Sequence, residues 1–479
     1  MSRISGKWLI VISLLMGTFT MILNNSMLNP ALPLFMEVFD SDAVAAGWII
    51  TIFMVAMGMT MPVTGYLGDK FGKKKIYLTG LAVFTLGSFL GILSWSLGSL
   101  IFFRAVQGIG GGMMMPLSMA LIFEAFPRKE RGLATGVWGI AAMMAPTIGP
   151  TIGGLIVEFS SWHYLFIVNL PFGTAAFLFA LKYLKDTGTK PGIRFDRSGF
   201  LLVTAGVGSV LFALGRISEL SHLVQPLNLL LIFTGLTALY LFGKVEKKVE
   251  QPLLDLSIFR IGAYSLSVYI AGLSSVGLFA GIFLIPLLVQ SVYGYGAIMT
   301  GLVFLPTALM SGIFMNIGGR LLDKGKATLV VTAGVLLLGS GTIALSFISI
   351  ETALVWVFIW MALRGMGMGM ASMPATTAGI NSIPEEDVSR GSAMNNVFRQ
   401  MSNALGIVCV SVYFEVRRTQ LFAAQASMEE ASFQAITESF FIVGLITILS
   451  IPAAFFLGQK AKAAQSQLEV IEKEARSRL

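Results

Sequence analysis

Gly65-Tyr66-Leu67-Gly68-Asp69-Lys70-Phe71-Gly72-Lys73-Lys74-Lys75 lies between two apolar runs, each long enough to cross a bilayer. Four lysines surround a single acid, Asp69. A short, strongly basic loop between spans belongs on the cytoplasmic side, so it sets the direction of every span before and after it. Gly65, Gly68 and Gly72 suit a tight turn with close helix approach.

The rest of the composition agrees with a membrane chain. Of 479 residues, 55% are hydrophobic and only 12% charged, with a mean hydropathy of +0.81. A soluble globular protein carries about 25% charged residues. This much apolar surface cannot be hidden from water, which makes the protein integral to a membrane. A single cysteine, Cys409, excludes an internal disulfide. Two histidines, His163 and His222, and that one cysteine are too few for an ordinary zinc site. Both histidines fall in expected outer loops, and no catalytic constellation stands out, so no enzyme, metal or organic cofactor is expected. The net charge of +8 reads as the basic bias of cytoplasmic loops rather than a nucleic-acid surface. The apolar start is long, ends in no small-residue cleavage site and is followed by many more spans, so it reads as span 1 and not a signal peptide.

Fourteen apolar runs have the length of a span. They cover residues 8–33, 46–66, 76–95, 97–123, 133–157, 163–182, 199–217, 227–243, 263–289, 298–319, 329–348, 354–380, 392–414 and 440–458. Residues 459–479 are a polar, charged tail, expected to be a helix outside the membrane. With both termini in the cytoplasm, inner segments hold 27 of the 33 basic residues. Outer loops hold Arg216, Arg417 and Arg418, while Arg104, Arg364 and Arg399 lie within spans. Such a split supports an even number of spans with both ends inside.

The chain also repeats itself. Gly65-x-x-x-Asp69-Lys70 recurs as Gly319-x-x-x-Asp323-Lys324, Arg104 is matched to Arg364, and Arg131-Gly132 recurs as Arg390-Gly391. The expected organisation is all-α. It has a six-helix bundle in 1–190, two inserted helices in 191–260, a second six-helix bundle in 261–458 and a tail in 459–479. Two similar bundles facing each other would enclose a route with substrate near the midplane.

The loop at Gly65–Lys75 resembles the loop between spans 2 and 3 of the major facilitator superfamily. Other strings narrow the resemblance to its fourteen-span drug:proton antiporters. Arg104-Ala105-Val106-Gln107-Gly108 resembles the span-4 motif, and Gly149-Pro150-x-x-Gly153-Gly154 the antiporter motif of drug exporters. Trp162-His163-Tyr164-Leu165-Phe166-Ile167-Val168-Asn169-Leu170-Pro171 is similar to the family's hallmark, with histidine in place of the usual arginine. Leu23-Asn24-Asn25 stands where the family has Leu-Asp, so an amide that cannot titrate replaces an acid.

The resemblance implies drug efflux by proton-coupled alternating access in a bacterial cytoplasmic membrane, with protons as the coupling ion. A lipid or metabolite exporter with other or no proton coupling is the alternative. Arg104 is implied in proton transfer; from residue type alone, a structural arginine bonded to backbone carbonyls is the competing reading. With Asn24 unable to carry a proton, Glu124 is the inner carboxyl candidate and Glu158 or Glu415 the outer, against the plainer reading of solvated helix ends. Gly65, Asp69, Lys70, Gly72 and Lys74 imply a conformational latch, with Asp69 meeting the start of span 13 and Arg131. Asn24, Asn25, Asn29, Gln107, Met113, Gln290, Asn316, Asn395, Arg399 and Gln400 are candidates for lining the substrate route, or bond between helices. Expected partners are small amphipathic substrates and membrane lipids, with no nucleic acid, and the chain is expected to be a monomer.

Overall fold

The computed structural model describes residues 6–41, 43–189, 192–217, 220–249, 252–424 and 427–477. Their regular structure is entirely helical. Fourteen helical stretches among them are long and apolar enough to cross a membrane, as the hydropathy of the sequence requires.

The helices are numbered in chain order. In the first half they are α1 Gly6–Met27, α2 Ala43–Phe71, α3 Lys73–Ile92, α4 Leu97–Ala125, α5 Arg131–Phe159 and α6 Asn169–Tyr183. The inserted pair is α7 Arg197–Gly215 and α8 Pro226–Glu246. The second half holds α9 Gly262–Pro286, α10 Ala297–Asp323, α11 Ala327–Ala344, α12 Leu354–Ile380, α13 Val388–Ala423 and α14 Met428–Leu449. The last helix, α15, is Ile451–Ser477.

Several helix ends depart from the apolar runs, and four of them have a local reason. α1 stops at Met27, short of Pro33, because Pro30 cannot donate; the chain resumes as a short helix, Leu32–Val38. α9 continues past Pro286 as a π-helical turn, Leu287–Val292. α13 runs beyond Phe414 because its polar end is ion-paired, Arg418 with Glu415 at 2.6 Å and Arg417 with Glu438 at 2.6 Å. α14 starts well before Phe440 because Ser427 and Glu430 form a capping box.

Packing divides the chain into two compact units that do not follow chain order. One comprises residues 1–125, 141–254 and 392–404; the other comprises 126–140, 255–391 and 405–479. In the first, Leu23, Met27, Phe35, Leu100, Trp162 and Phe166 form a buried cluster. In the second, Leu284, Met361, Phe414 and Phe440 do. Lipid tails are as apolar as these side chains, so close van der Waals fit, not escape from water, holds such clusters inside a bilayer.

The glycine run of α4 shows that fit residue by residue. A Cβ on Gly108 would lie 2.5 Å from the Phe53 carbonyl of α2, and one on Gly112 would lie 2.7 Å from that of Met57. On the next face, a Cβ on Gly110 would lie 2.5 Å from the Gly80 carbonyl of α3. α12 repeats the arrangement: Gly365 and Gly369 abut the Thr307 and Ser311 carbonyls of α10, while Gly367 abuts Leu338 of α11. This register corrects the arginine pairing read from the sequence. With Gly108, Gly110 and Gly112 set on Gly365, Gly367 and Gly369, Arg364 stands opposite Gln107 and Met361 opposite Arg104. Gln107 packs on Gly87 and Arg364 on Gly341, which confirms the pairing. Arg104 therefore has no arginine counterpart in the second half.

Candidate functional site

Arg104 is fully buried on α4, where an arginine needs all its donors occupied. Its Nε donates to the Ile49 carbonyl at 2.9 Å. Nη1 donates to Asn24 Oδ1 and Gln107 Oε1, both at 2.9 Å, and Nη2 to Asn25 Oδ1 at 2.7 Å. The guanidinium also lies 4.4 Å from the Phe53 ring centroid. All four of these acceptors are neutral: one backbone carbonyl and three side-chain amide oxygens.

The network continues outward. Gln107 Nε2 donates to Ser88 Oγ on α3 at 2.6 Å, and Asn24 Nδ2 to the Leu165 carbonyl at 3.1 Å. Leu165 lies in a short helix, Tyr164–Ile167, and its carbonyl also accepts from Asn169 Nδ2 at 3.2 Å. The span-1 asparagine and Asn169 of the hallmark string thus share one acceptor, the Leu165 carbonyl, a convergence that linear spacing does not reveal. Trp162 anchors that string: its ring stacks on His163 at 3.8 Å and meets Phe35 and Phe39 edge-on. His163 Nδ1 bonds Ser161 Oγ at 2.7 Å.

Of the span-5 motif, Gly149 and Gly153 lie against α1. A Cβ on Gly149 would strike Ser26, and one on Gly153 would strike the Met27 carbonyl. Gly154 faces open space, and Pro150 sits inside the helix.

A second site gathers around the start of α5. The Asp323 carboxylate, ending α10, accepts from the Gly132 amide at 2.7 Å and the Leu133 amide at 2.9 Å. These are orphan donors of the α5 N-terminus, where a carboxylate is favoured by charge as well as by hydrogen bonding. Arg131 grips Glu385 with bonds of 2.8 and 3.0 Å and donates to Asn381 Oδ1 and the Phe126 carbonyl. Thr135 and Thr377 hydroxyls are 2.8 Å apart. The sequence offered Asp323 only as a repeat of Asp69; the repeat itself was the signal that it binds a helix start.

At the loop that opened the sequence reading, Asp69 is buried at the end of α2. Lys70 Nζ donates to the Tyr66 hydroxyl at 2.8 Å. Gly65 lies within α2. Gly72 has φ of +93°, open to glycine, and faces Thr187, whose Oγ1 accepts from the Lys73 amide at 2.7 Å. Lys74 pairs with Asp186 at 3.4 Å.

The candidate proton carriers do not converge. Glu124 is exposed and pairs with Lys73 at 3.0 Å, Glu158 is exposed, and Glu415 pairs with Arg418. Buried carboxylates among the described residues are instead Asp69, Asp196 and Glu246.

The route candidates separate into three groups. Asn24, Asn25 and Gln107 meet at Arg104. Asn395, Arg399 and Gln400 share one stretch of α13, where Arg399 Nη2 donates to Asn396 Oδ1 at 2.6 Å. There Asn395 Nδ2, Gln400 Nε2 and Asn403 Oδ1 are buried without a hydrogen-bond partner. The others stand alone: Asn29 is exposed at the α1 break, Met113 packs on Gly80 of α3, Gln290 bonds Thr300, and Asn316 bonds its own helix at Gly312.

Fourteen helices of spanning length and a buried arginine held by polar side chains from several of them define a multi-pass membrane protein. The sequence signature described as Major Facilitator Superfamily matches residues 14–407. The chain belongs to that superfamily. It is 30% identical over 441 residues to the lincomycin resistance protein LmrB of Listeria monocytogenes, covering 91% of this chain and 93% of that one. It is 29% identical over 419 residues to the multidrug export protein EmrB of Escherichia coli, covering 84% and 80%. Among solved structures, the human organic anion transporter MFSD10 superposes with a TM-score of 0.65 at 14% identity, covering 93% of this chain and 100% of that one. That last likeness is one of fold alone. The protein is a multi-pass component of a bacterial cytoplasmic membrane.

Proposed function

We propose that this drug-efflux transporter exports amphipathic compounds by alternating access, coupled to inward movement of protons, with both termini in the cytoplasm. The resistance and export proteins it resembles over most of its length support efflux. The observation that carries coupling to conformation is the Asp323 carboxylate on the α5 N-terminus. Protonating it would remove the charge that the two amides and the helix dipole favour, so proton uptake and release of α5 are linked. Hydrogen bonds to a charged group contribute about 1.5–3 kcal/mol each, enough to bias two states differing by a few kcal/mol. In this reading Asp323 joins Glu124, Glu158 and Glu415 as a coupling candidate, and Arg104 organises the helices instead of carrying the proton.

The experiment is uptake of a fluorescent dye into inverted vesicles on imposing a lumen-acid gradient. Accumulation that collapses with the gradient is expected, and Asp323→Asn should weaken the dependence on pH about tenfold while the protein still reaches the membrane. Accumulation indifferent to the gradient, or a broad dye panel that never accumulates, would overturn the reading.

A further inference from the structure

The two helices inserted between the repeated halves end at a cavity that the transport reading does not use. α7 begins and α8 ends at the same level, because a Cβ on Gly199 would touch carboxylate oxygens of both Asp196 and Glu246. Beside them opens a cavity of about 780 Å³, lined by Arg194, Phe195, Asp196, Arg197, Ser198 and Val249. Gly192, at φ of +89°, turns the chain along its edge.

Its chemistry is two-sided. Arg194 and Arg197 are exposed, and Lys247 and Lys248 follow directly on α8, also exposed. These cations suit an anion. Asp196 supplies the opposite need. Its Oδ1 accepts from the Gly199 amide at 2.9 Å and from Ser198 Oγ at 2.7 Å, capping α7. Its Oδ2 is buried with no partner, and the residue is only 8% exposed. A buried carboxylate oxygen calls for a hydrogen-bond donor. The lining therefore fits a group that is anionic at one atom and donates a hydrogen bond a few bonds away.

Depth decides where such a group comes from. Lys244 Nζ lies 4.6 Å from the Tyr240 ring centroid at this end of α8. Tyrosine and lysine together mark the level where a membrane meets water. One turn into α7, Leu201 is 66% exposed, and Tyr240 is 62% exposed. The cavity opens at headgroup depth, beside side chains that face acyl chains.

We propose that this cavity binds the headgroup of an anionic phospholipid of the phosphatidylglycerol type. The phosphate rests against Arg194 and Arg197, and a glycerol hydroxyl donates to Asp196 Oδ2. Phosphatidic acid supplies the phosphate without that donor. A zwitterionic headgroup does not match the net positive lining.

The test uses the full-length chain in detergent, with native mass spectrometry reading retained lipid. Phosphatidylglycerol, phosphatidic acid and phosphatidylcholine of matched chains are the probes. Phosphatidylglycerol should be retained at least tenfold more than phosphatidylcholine, and the Arg194→Ala/Arg197→Ala double variant should lose that difference. Arg197→Glu, a single change at an exposed position, should act in the same direction. Asp196→Asn keeps the oxygen that caps α7 and should lose only the advantage of phosphatidylglycerol over phosphatidic acid. Variants are compared only when they melt as the parent does in lipid-free detergent; an Arg197→Glu protein that melts normally yet keeps its lipid sinks the proposal. Equal retention of the three lipids overturns it as well. So does equal stabilisation by soluble glycerol phosphate, which would make this a site for a soluble phosphate instead.

Discussion

Arg104 shows how a charge persists inside a membrane protein without a countercharge. An arginine at mid-span costs about 2.5–3.5 kcal/mol on insertion scales. Four bonds to Ile49, Asn24, Gln107 and Asn25, at about 1.5–3 kcal/mol each, more than offset that. Removing the side chain strands the side-chain acceptors of Asn24, Asn25 and Gln107 and takes a donor from the Ile49 carbonyl. Arg104→Ala is therefore expected to lower the melting temperature in detergent by several degrees, and Arg104→Lys to recover only part of it, since an ammonium cannot fork to as many acceptors. A lysine that melts like the parent would show that the fork is not what holds the helices. Position 24 tests the missing acid. Asn24 accepts from Arg104 and donates to Leu165 at once. An aspartate there could make both bonds only when protonated, yet its charge would be favoured by the arginine. Asn24→Asp should add a new pH-dependent limb to transport; a profile identical to the parent would mean that position 24 lies off the proton's path.

At the scale of the helices, glycine positions decide which surfaces can touch. The span-5 motif reads as a string of similar residues, but its members differ in surroundings. Gly153 abuts the Met27 carbonyl and Gly154 faces open space. A methyl on Gly153 must push α1 away, because a backbone carbonyl cannot rotate aside as a flexible side chain can. Gly153→Ala is expected to cut dye transport about tenfold or more, whereas Gly154→Ala should transport as the parent does. Equal loss in both would show that helix flexibility, not contact with α1, is what the motif provides. The same logic explains α4 and α12, where alternate glycines face different neighbours. It also explains why the arginine pairing read from sequence failed: the contacts of the glycines set the register, and the arginine lies three positions off it.

For the whole molecule, the topology is testable without any transport assay. Reporter tags at the first and last residues should both report the cytoplasm; opposite faces would sink the fourteen-span orientation and the alternating-access reading with it. The sequence determined the membrane habit and the number of candidate spans, and its loop charge and internal repeat set the direction and the two halves to expect. These follow from hydropathy, loop charge and spacing, all local properties of a chain in a bilayer. It could also nominate polar residues, since any polar group in a span must find a partner. Which partner each would find was left to the tertiary structure. Asn24 and Gln107, far apart in the chain, meet at Arg104, and Asn24 in turn donates to the Leu165 carbonyl, while Asn316 bonds its own helix. Asp323 reaches the start of α5, and among the described residues the buried carboxylates are Asp69, Asp196 and Glu246, while Glu124 and Glu158 are exposed. Burial and hydrogen bonding depend on which faces pack together, and that is fixed by steric fit between helices remote in sequence, not by the composition of any one of them.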